Sequence, residues 1–261
     1  GDFDGMHTCD PSVIRVDGTY YLYYTGAAGE HAHGNAIGVA SSPDGLTWHR
    51  PRIVQPVVTA SHEVRRDNVY GAGQPSALHL DGWFYLMFTD TTASGAGPNG
   101  AGQFVLRARD PELTDRVQVL TDDGFAPTGT TASRRGRSVV DAFSADWMWV
   151  DALAAFAIAH QTDAGTTITF WDRDFAYHPY HPVVLPGPWR EGPGLLRRPD
   201  GHAPESEHCA VPIDVVRATS SGSGPTRLRH FGIDVRRDGA CRRTDRSTTD
   251  EEVPGEEAGT R

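Results

Sequence analysis

Residues 10–25 read DPSVIRVDGTYYLYYT, and residues 74–89 read QPSALHLDGWFYLMFT. The two stretches align without a gap at an offset of 64, since 74 − 10 = 64, and seven of the sixteen positions are identical: Pro, Ser, Asp, Gly, Tyr, Leu and Thr. Each copy is an aliphatic run, an Asp-Gly pair and an aromatic run. An Asp-Gly pair between two strand-like runs selects a type I′ turn, because both central residues need positive φ and these residue types tolerate it. The recurring unit is therefore a β-hairpin, and its recurrence decides the fold class.

A second hairpin follows each copy. Residues 36–48 read AIGVASSPDGLTW and residues 103–114 read QFVLRARDPELT, so each unit supplies about four strands. A third unit opens at Asp141, with a strand at 147–150, Asp151-Ala152 in the place of Asp-Gly, a return over 153–160 and an outer hairpin in 166–175. A fourth opens at Glu191 with EGPGLLRRPDG, and residues 210–217 give the last clear strand; residues 228–236 fit one strand pair of a fifth unit. Four-stranded units repeated with no helical period between them describe propeller blades. A β-sandwich would also be all-β, but it gives no reason for recurrence at blade length. The expected architecture is one all-β domain over residues 1–237, a five-bladed β-propeller whose last blade is irregular or truncated. A charged, disordered tail is expected over residues 238–261.

Composition agrees. Gly 29 and Pro 18 supply 47 of 261 residues, enough for many turns, and all 24 basic residues are Arg, so the best helix formers are scarce. Apolar runs fall short of the ~18 residues that a membrane-spanning helix needs. With 34 acidic against 24 basic residues and a net charge of −10, nucleic acid and anionic membranes are excluded as main partners. Cys9, Cys209 and Cys241 match no metal-ligand spacing; a Cys9–Cys209 disulfide and three reduced thiols both stay open. The first residue is Gly1 rather than Met, which leaves a removed leader open.

In a propeller the innermost strand of each blade starts at the central channel, so the opening residues converge there. Here they are Asp10, Gln74, Asp141 and Glu191. Like charges gathered in a partly enclosed funnel raise one another's pKa and destabilise the fold, so packing gives no reason to gather three acids. Taken singly, Asp10 and Asp141 read more simply as turn caps. As a set at equivalent positions they do not.

These openings carry a resemblance. Over residues 4–216 the chain resembles the five-bladed propeller glycoside hydrolases of family 43 and its relatives. His7-Thr8-Cys9-Asp10-Pro11-Ser12 is similar to the family's first-blade motif, whose Asp is the catalytic base. Gln74-Pro75-Ser76 takes the place of the second-blade Ala-Pro motif, and Val140-Asp141-Ala142 with Phe143 that of the third-blade Ile-Asp-Pro motif, whose Asp tunes and orients the acid. Glu191-Gly192-Pro193 is similar to the fourth-blade motif that carries the general acid. Residues 40–48 also resemble an outer-strand turn common in these propellers.

The resemblance implies an inverting glycosidase acting on a pentoside, such as an α-L-arabinofuranoside, arabinan or a β-xyloside. Asp10 would deprotonate a water beneath the anomeric carbon, Glu191 would protonate the leaving oxygen, and Asp141 would raise the pKa of Glu191. His7, Gln74, Phe143 and Trp189 lie within a few residues of the openings and are the candidate sugar-binding groups, with core packing as the competing reading for His7 and Trp189. Tyr20, Tyr21, Tyr23, Tyr24 and Trp83-Phe84-Tyr85 alternate along strands and read as packing. Arg134, Arg135 and Arg137 read as a solvated loop. The family implies a cation or halide in the central channel, with His230 as the candidate contact, and no required cofactor. No nucleotide loop, zinc motif or Ser-His-Asp elbow occurs. The expected partner is an oligo- or polysaccharide, met as a secreted monomer. A non-catalytic carbohydrate-binding propeller, or one acting on another small molecule, stays open, since one fold hosts many functions.

Overall fold

The computed structural model describes residues 2–29, 34–51, 55–188, 191–205, 210–219 and 227–236. They form four antiparallel sheets in chain order. The first holds β1 (His7–Val16), β2 (Thr19–Ala27) and β3 (Ala36–Ser42); the second holds β4 (Ala72–Leu80), β5 (Trp83–Asp90), β6 (Gln103–Ala108), β7 (Gln118–Thr121) and β8 (Gly124–Pro127). The third holds β9 (Ala145–Val150), β10 (Ala155–Thr162), β11 (Gly165–Asp172) and β12 (Val183–Pro186). The fourth holds β13 (Gly194–Leu195), β14 (Ala210–Ala218) and β15 (Leu228–Arg236). The chain is an all-β propeller. No helix among the described residues is long and apolar enough to cross a membrane.

The repeat folds as its turns dictate. Asp17 and Gly18 have φ 48 and 84, Asp81 and Gly82 have φ 51 and 72, and the flanking partners are Val16↔Thr19 and Leu80↔Trp83. These are the two positive-φ residues of a type I′ hairpin. The third unit has no glycine there. It makes a 3-10 turn at Asp151–Leu153 and a single left-handed residue, Ala154, so its return strand starts at Ala155 rather than at 153.

Sheets pack face to face, and the inner ones are apolar on both sides. Along β5, Phe84, Leu86 and Phe88 join the core shared with the first sheet, whereas Tyr85 and Met87 join the core shared with the third. Along β10, Phe156 and Ile158 turn towards the second sheet, and Ala155, Ala157 and Ala159 towards the fourth. This is why these strands read as continuous apolar runs rather than as alternation. The tyrosines and Trp83-Phe84-Tyr85 lie mainly in this packing: Tyr23 and Tyr85 are buried, and Tyr21 meets Phe84 edge to face at 5.5 Å.

Two expectations are corrected here. Residues 228–236 do not begin a fifth unit. They form β15, which pairs along its whole length with β14, from Ala210↔Arg236 to Ala218↔Leu228, because Val211, Ile213 and Val215 meet Val235, Ile233 and Phe231 in register. The residues expected to form a tail lie outside the described residues. Arg135 is not solvated either. It is fully buried and ion-paired with Asp90, also fully buried, and it donates to the carbonyls of Thr59 and Thr131. Its neighbour Arg134 stays exposed against Glu63, 3.2 Å away. A charge buried this deeply is tolerated because it is ion-paired and its two terminal nitrogens are hydrogen-bonded.

Between β13 and β14 the chain runs back through the middle of the propeller. Arg15 N–H donates to Pro199 O at 2.7 Å, His79 N–H to Asp200 O at 2.9 Å, and Trp149 N–H to Gly201 O at 3.2 Å. Three successive carbonyls of one turn thus bind the innermost strands of three different sheets. Just before the turn, Arg197 donates to Trp147 O at 2.6 Å, Ser12 Oγ at 3.2 Å and Ser76 Oγ at 3.4 Å, and lies 3.5 Å from Asp146 Oδ1.

Two stability outcomes follow from the paired charges. Burial pushes the Asp90 carboxyl up, but the Arg135 charge and the hydrogen bonds from Thr92 and Ser61 outweigh it and hold the group below the usual carboxylate range. The stability it confers is present above the unfolded-chain value of ~3.9 and is lost as pH falls through the lower folded value. Asp90→Asn is expected to lose about 3–5 kcal/mol at neutral pH, read by chemical denaturation, and to show a shallower acid-side decline than the parent. Arg197→Met is expected to lose roughly 3 kcal/mol in the same measurement, because it leaves Asp146 without its cation; an unchanged midpoint would show that the guanidinium does not tie the sheets.

Candidate active site

Asp10 and Gln74 occupy the same place in their sheets, and both have φ 52, in the left-handed region. Each sits in a β-bulge, between Cys9 and Ser12 in β1 and between Gly73 and Ser76 in β4, where the register with the partner strand shifts. The bulge breaks the two-residue alternation and turns the opening side chain towards the channel. Asp tolerates this backbone; Gln does so at greater strain.

Both side chains line one cavity of about 410 Å³, together with Ser144, Asp146, Glu191 and Arg197. The hairpin register explains the membership. Asp10 stands six residues before Val16, and Gln74 six before Leu80, the last residues of their strands; six before Val150 is Ser144, not Asp141. One step deeper on the same face come Ser12, Ser76 and Asp146, four residues before the same strand ends. The cavity therefore has a mouth layer of Asp10, Gln74, Ser144 and Glu191, and a floor of Ser12, Ser76, Asp146 and Arg197.

The layers are wired separately. In the mouth, Ser144 Oγ donates to Gln74 Oε1 at 2.6 Å, and Gln74 N–H donates to Thr25 Oγ1 at 2.8 Å. Asp10 Oδ2 receives Tyr70 Oη at 3.3 Å and Cys9 Sγ at 3.5 Å. Glu191 arrives on a segment pressed against the third sheet: a Cβ on Gly192 would lie 2.5 Å from Ser144 Cβ, so glycine is the only residue that fits. In the floor, Asp146 accepts Ser76 Oγ at 2.5 Å and Trp147 N–H at 3.0 Å on Oδ1, and Leu195 N–H at 2.8 Å on Oδ2. Asp146 thus fastens the strand that follows Glu191.

The expected trio is divided. Asp10 and Glu191 share the cavity with Gln74, whereas Asp141 is exposed on the loop before β9 and is absent from the lining. The reason is Gln103, fully buried, whose amide donates to Ala142 O at 3.1 Å and Phe143 O at 2.8 Å and pins that loop against the start of β6. Phe143, 39% exposed, and His7, at the exposed start of β1, also lie outside the lining. Trp189 lies outside the described residues, as do Cys209 and Cys241; Cys9 is an exposed free thiol. Ser144, Asp146, Arg197 and Tyr70 were not singled out by sequence. Counting back from the hairpin turn, rather than matching Val-Asp-Ala, finds the first two.

A channel cation does not fit these residues. The space between the innermost strands holds the Arg197 guanidinium, and His230 sits on the outer strand β15, with Nε2 2.7 Å from Asp214 Oδ1. Among the described residues no group of three or more His, Cys, Asp or Glu side chains is placed to hold a metal ion.

The fold is that of the β-propeller glycoside hydrolases. No family model and no curated protein sequence matches the chain. Among solved structures it is similar to an α-L-arabinofuranosidase from Clostridium thermocellum, at TM-score 0.57 and 13% identity over 88% of this chain and 69% of that one. It is also similar to an exo-β-1,3-galactanase from Phanerochaete chrysosporium, at TM-score 0.58 and 14% identity over 85% of this chain and 46% of that one. A family 117 glycoside hydrolase from Zobellia galactanivorans gives TM-score 0.54 and 17% identity over 87% and 68% of the two chains.

Cys9 reports on the mouth without any substrate. Burial, then the Asp10 charge and its hydrogen bond, push the thiol up to about 11. Alkylation of Cys9, followed by peptide mapping, is expected to be slow at pH 8 and to rise through pH 10, and Asp10→Asn is expected to speed it at pH 8. Equal rates in the two proteins would mean that the carboxylate does not face the thiol.

Proposed function

We propose that the chain is a glycoside hydrolase that cleaves O-glycosidic bonds with inversion, Asp10 acting as general base and Glu191 as general acid. The observation that carries this reading is that these two carboxylates, from the first sheet and from the segment before the fourth, line one polar cavity. Nothing among the described residues ion-pairs with either, so both are available for proton transfer. Ionised Asp10 takes a proton from water as it attacks the anomeric carbon; protonated Glu191 gives one to the departing oxygen. Water then occupies the face opposite the leaving group, and the anomeric configuration inverts.

Asp141 takes no part in this reading. The third carboxylate of the cavity, Asp146, has both oxygens occupied and acts through the segment it holds, as a positioning residue for Glu191. Gln74, fixed by Ser144, offers an amide to sugar hydroxyls. The pentoside class is the proposed substrate, supported by the resemblance to the arabinofuranosidase fold, and the same reading places a monomer on extracellular oligo- or polysaccharide. The position of Asp141 favours one alternative, a propeller that binds carbohydrate without cleaving it.

Hydrolysis of nitrophenyl arabinofuranoside, xyloside and galactoside separates the two readings. The parent is expected to cleave at least one pentoside, and Asp10→Asn and Glu191→Gln each to lose roughly 10²–10⁴-fold in kcat. No turnover with measurable sugar binding would support the binding module, and full activity in Glu191→Gln would remove it from the acid role.

A further inference from the structure

Asp10 has only two polar neighbours among the described side chains, and both fall on Oδ2. The thiol of Cys9 is a weak donor, so the phenol of Tyr70, 3.3 Å away, is the one hydroxyl among the described residues that donates to this carboxylate. Tyr70 does not line the cavity; it reaches Asp10 from behind the wall. No hydrogen bond from the described residues reaches Oδ1, and Asp10 lines the cavity.

The fold makes room for this phenol at a specific position. A Cβ on Gly73 would lie 2.5 Å from Tyr70 Oη and 2.9 Å from Tyr70 Cε1, so only glycine lets the ring pass beneath the bulge of the second sheet. Tyr70 is anchored on both sides of its own backbone, its N–H donating to Asn68 Oδ1 at 3.1 Å and its carbonyl accepting Asn35 N–H at 2.7 Å. Burial, then the negative charge of Asp10, push its pKa well above the usual tyrosine range, so it remains a donor throughout the working pH range. The strained backbone at Asp10 fixes where the side chain leaves the strand, but not how the carboxylate rotates.

We propose that Tyr70 is a positioning residue that holds the Asp10 carboxylate by Oδ2 and leaves Oδ1 to take the proton from water. The proposal rests on the reading of Asp10 as base. It is tested with Tyr70→Phe, which keeps the ring, and with Gly73→Ala, which displaces the phenol while keeping the tyrosine. In protein labelled with ¹³C at aspartate carboxyls, the Asp10 resonance is identified by its loss in Asp10→Asn, and its titration is followed in each variant. Loss of a donor to the charged form is expected to move the Asp10 midpoint up in both variants. For a glycoside that the parent cleaves, kcat is expected to fall roughly tenfold with KM within about twofold, and the acid limb of the rate profile to move up with the midpoint. An unmoved midpoint overturns the proposal, whether kcat is retained or falls together with thermal stability. If the parent cleaves nothing, the base reading fails, while the midpoint still decides whether Tyr70 holds Asp10.

Discussion

The guanidinium of Arg197 is the constraint on which the rest of the structure depends. A propeller must stop its innermost strands from splaying, because these strands belong to different sheets and share no backbone ladder with one another. Here one side chain binds the first sheet through Ser12, the second through Ser76 and the third through Asp146 and the Trp147 carbonyl, and the turn after it gives a carbonyl to each of the same three sheets. The fourth sheet is thereby joined to the others by its own central segment as well as by the apolar face it shares with the third. Removing the guanidinium takes a partner from each of these groups at once and leaves the Asp146 carboxylate without its cation.

The same arginine sets the chemistry above it. Its charge needs an anion, and Asp146 supplies it, so the floor of the cavity is internally neutral and its carboxylate is committed to structure. Among the described residues the mouth layer has no such cation. Among the described residues Asp10 meets only the neutral donors Tyr70 and Cys9, and no ion pair reaches Glu191. The site is thus divided by depth: the charges at the bottom are paired and hold the sheets, and those at the top have no ion-pair partner among the described residues.

How much of this was legible depends on which residues carried the signal. The hairpins of the first two sheets were readable because Asp-Gly fixes the turn and the turn fixes the register, and with it the equivalence of Asp10 and Gln74. The third sheet was misaligned because its turn has no glycine; a local likeness at Val140-Asp141-Ala142 then outweighed the strand count, and Ser144 and Asp146 were passed over. Arg135 was misread because three arginines close together look solvated, and its partner Asp90 lies 45 residues away, with no local pattern connecting them. β15 was assigned to a new unit because a Gly/Ser-rich stretch precedes it, although its apolar alternation matches β14 residue for residue.

The two left-handed residues show why sequence recurrence and function separate at this point. The bulge at Asp10 recurs at Gln74 with the same φ, though glutamine gains nothing locally from that backbone. A strained conformation kept in both copies belongs to the architecture of the unit: it turns the opening side chain inward whatever that side chain is. Function then rests on which residue occupies the position. Aspartate in the first sheet presents a carboxyl group, glutamine in the second and serine in the third present a hydrogen-bonded amide and hydroxyl, and glutamate before the fourth presents a second carboxyl group. The common bulge and turn set the geometry of the first two positions, and the side-chain identities differ from sheet to sheet, so the cavity mouth holds two carboxyl groups rather than a ring of four.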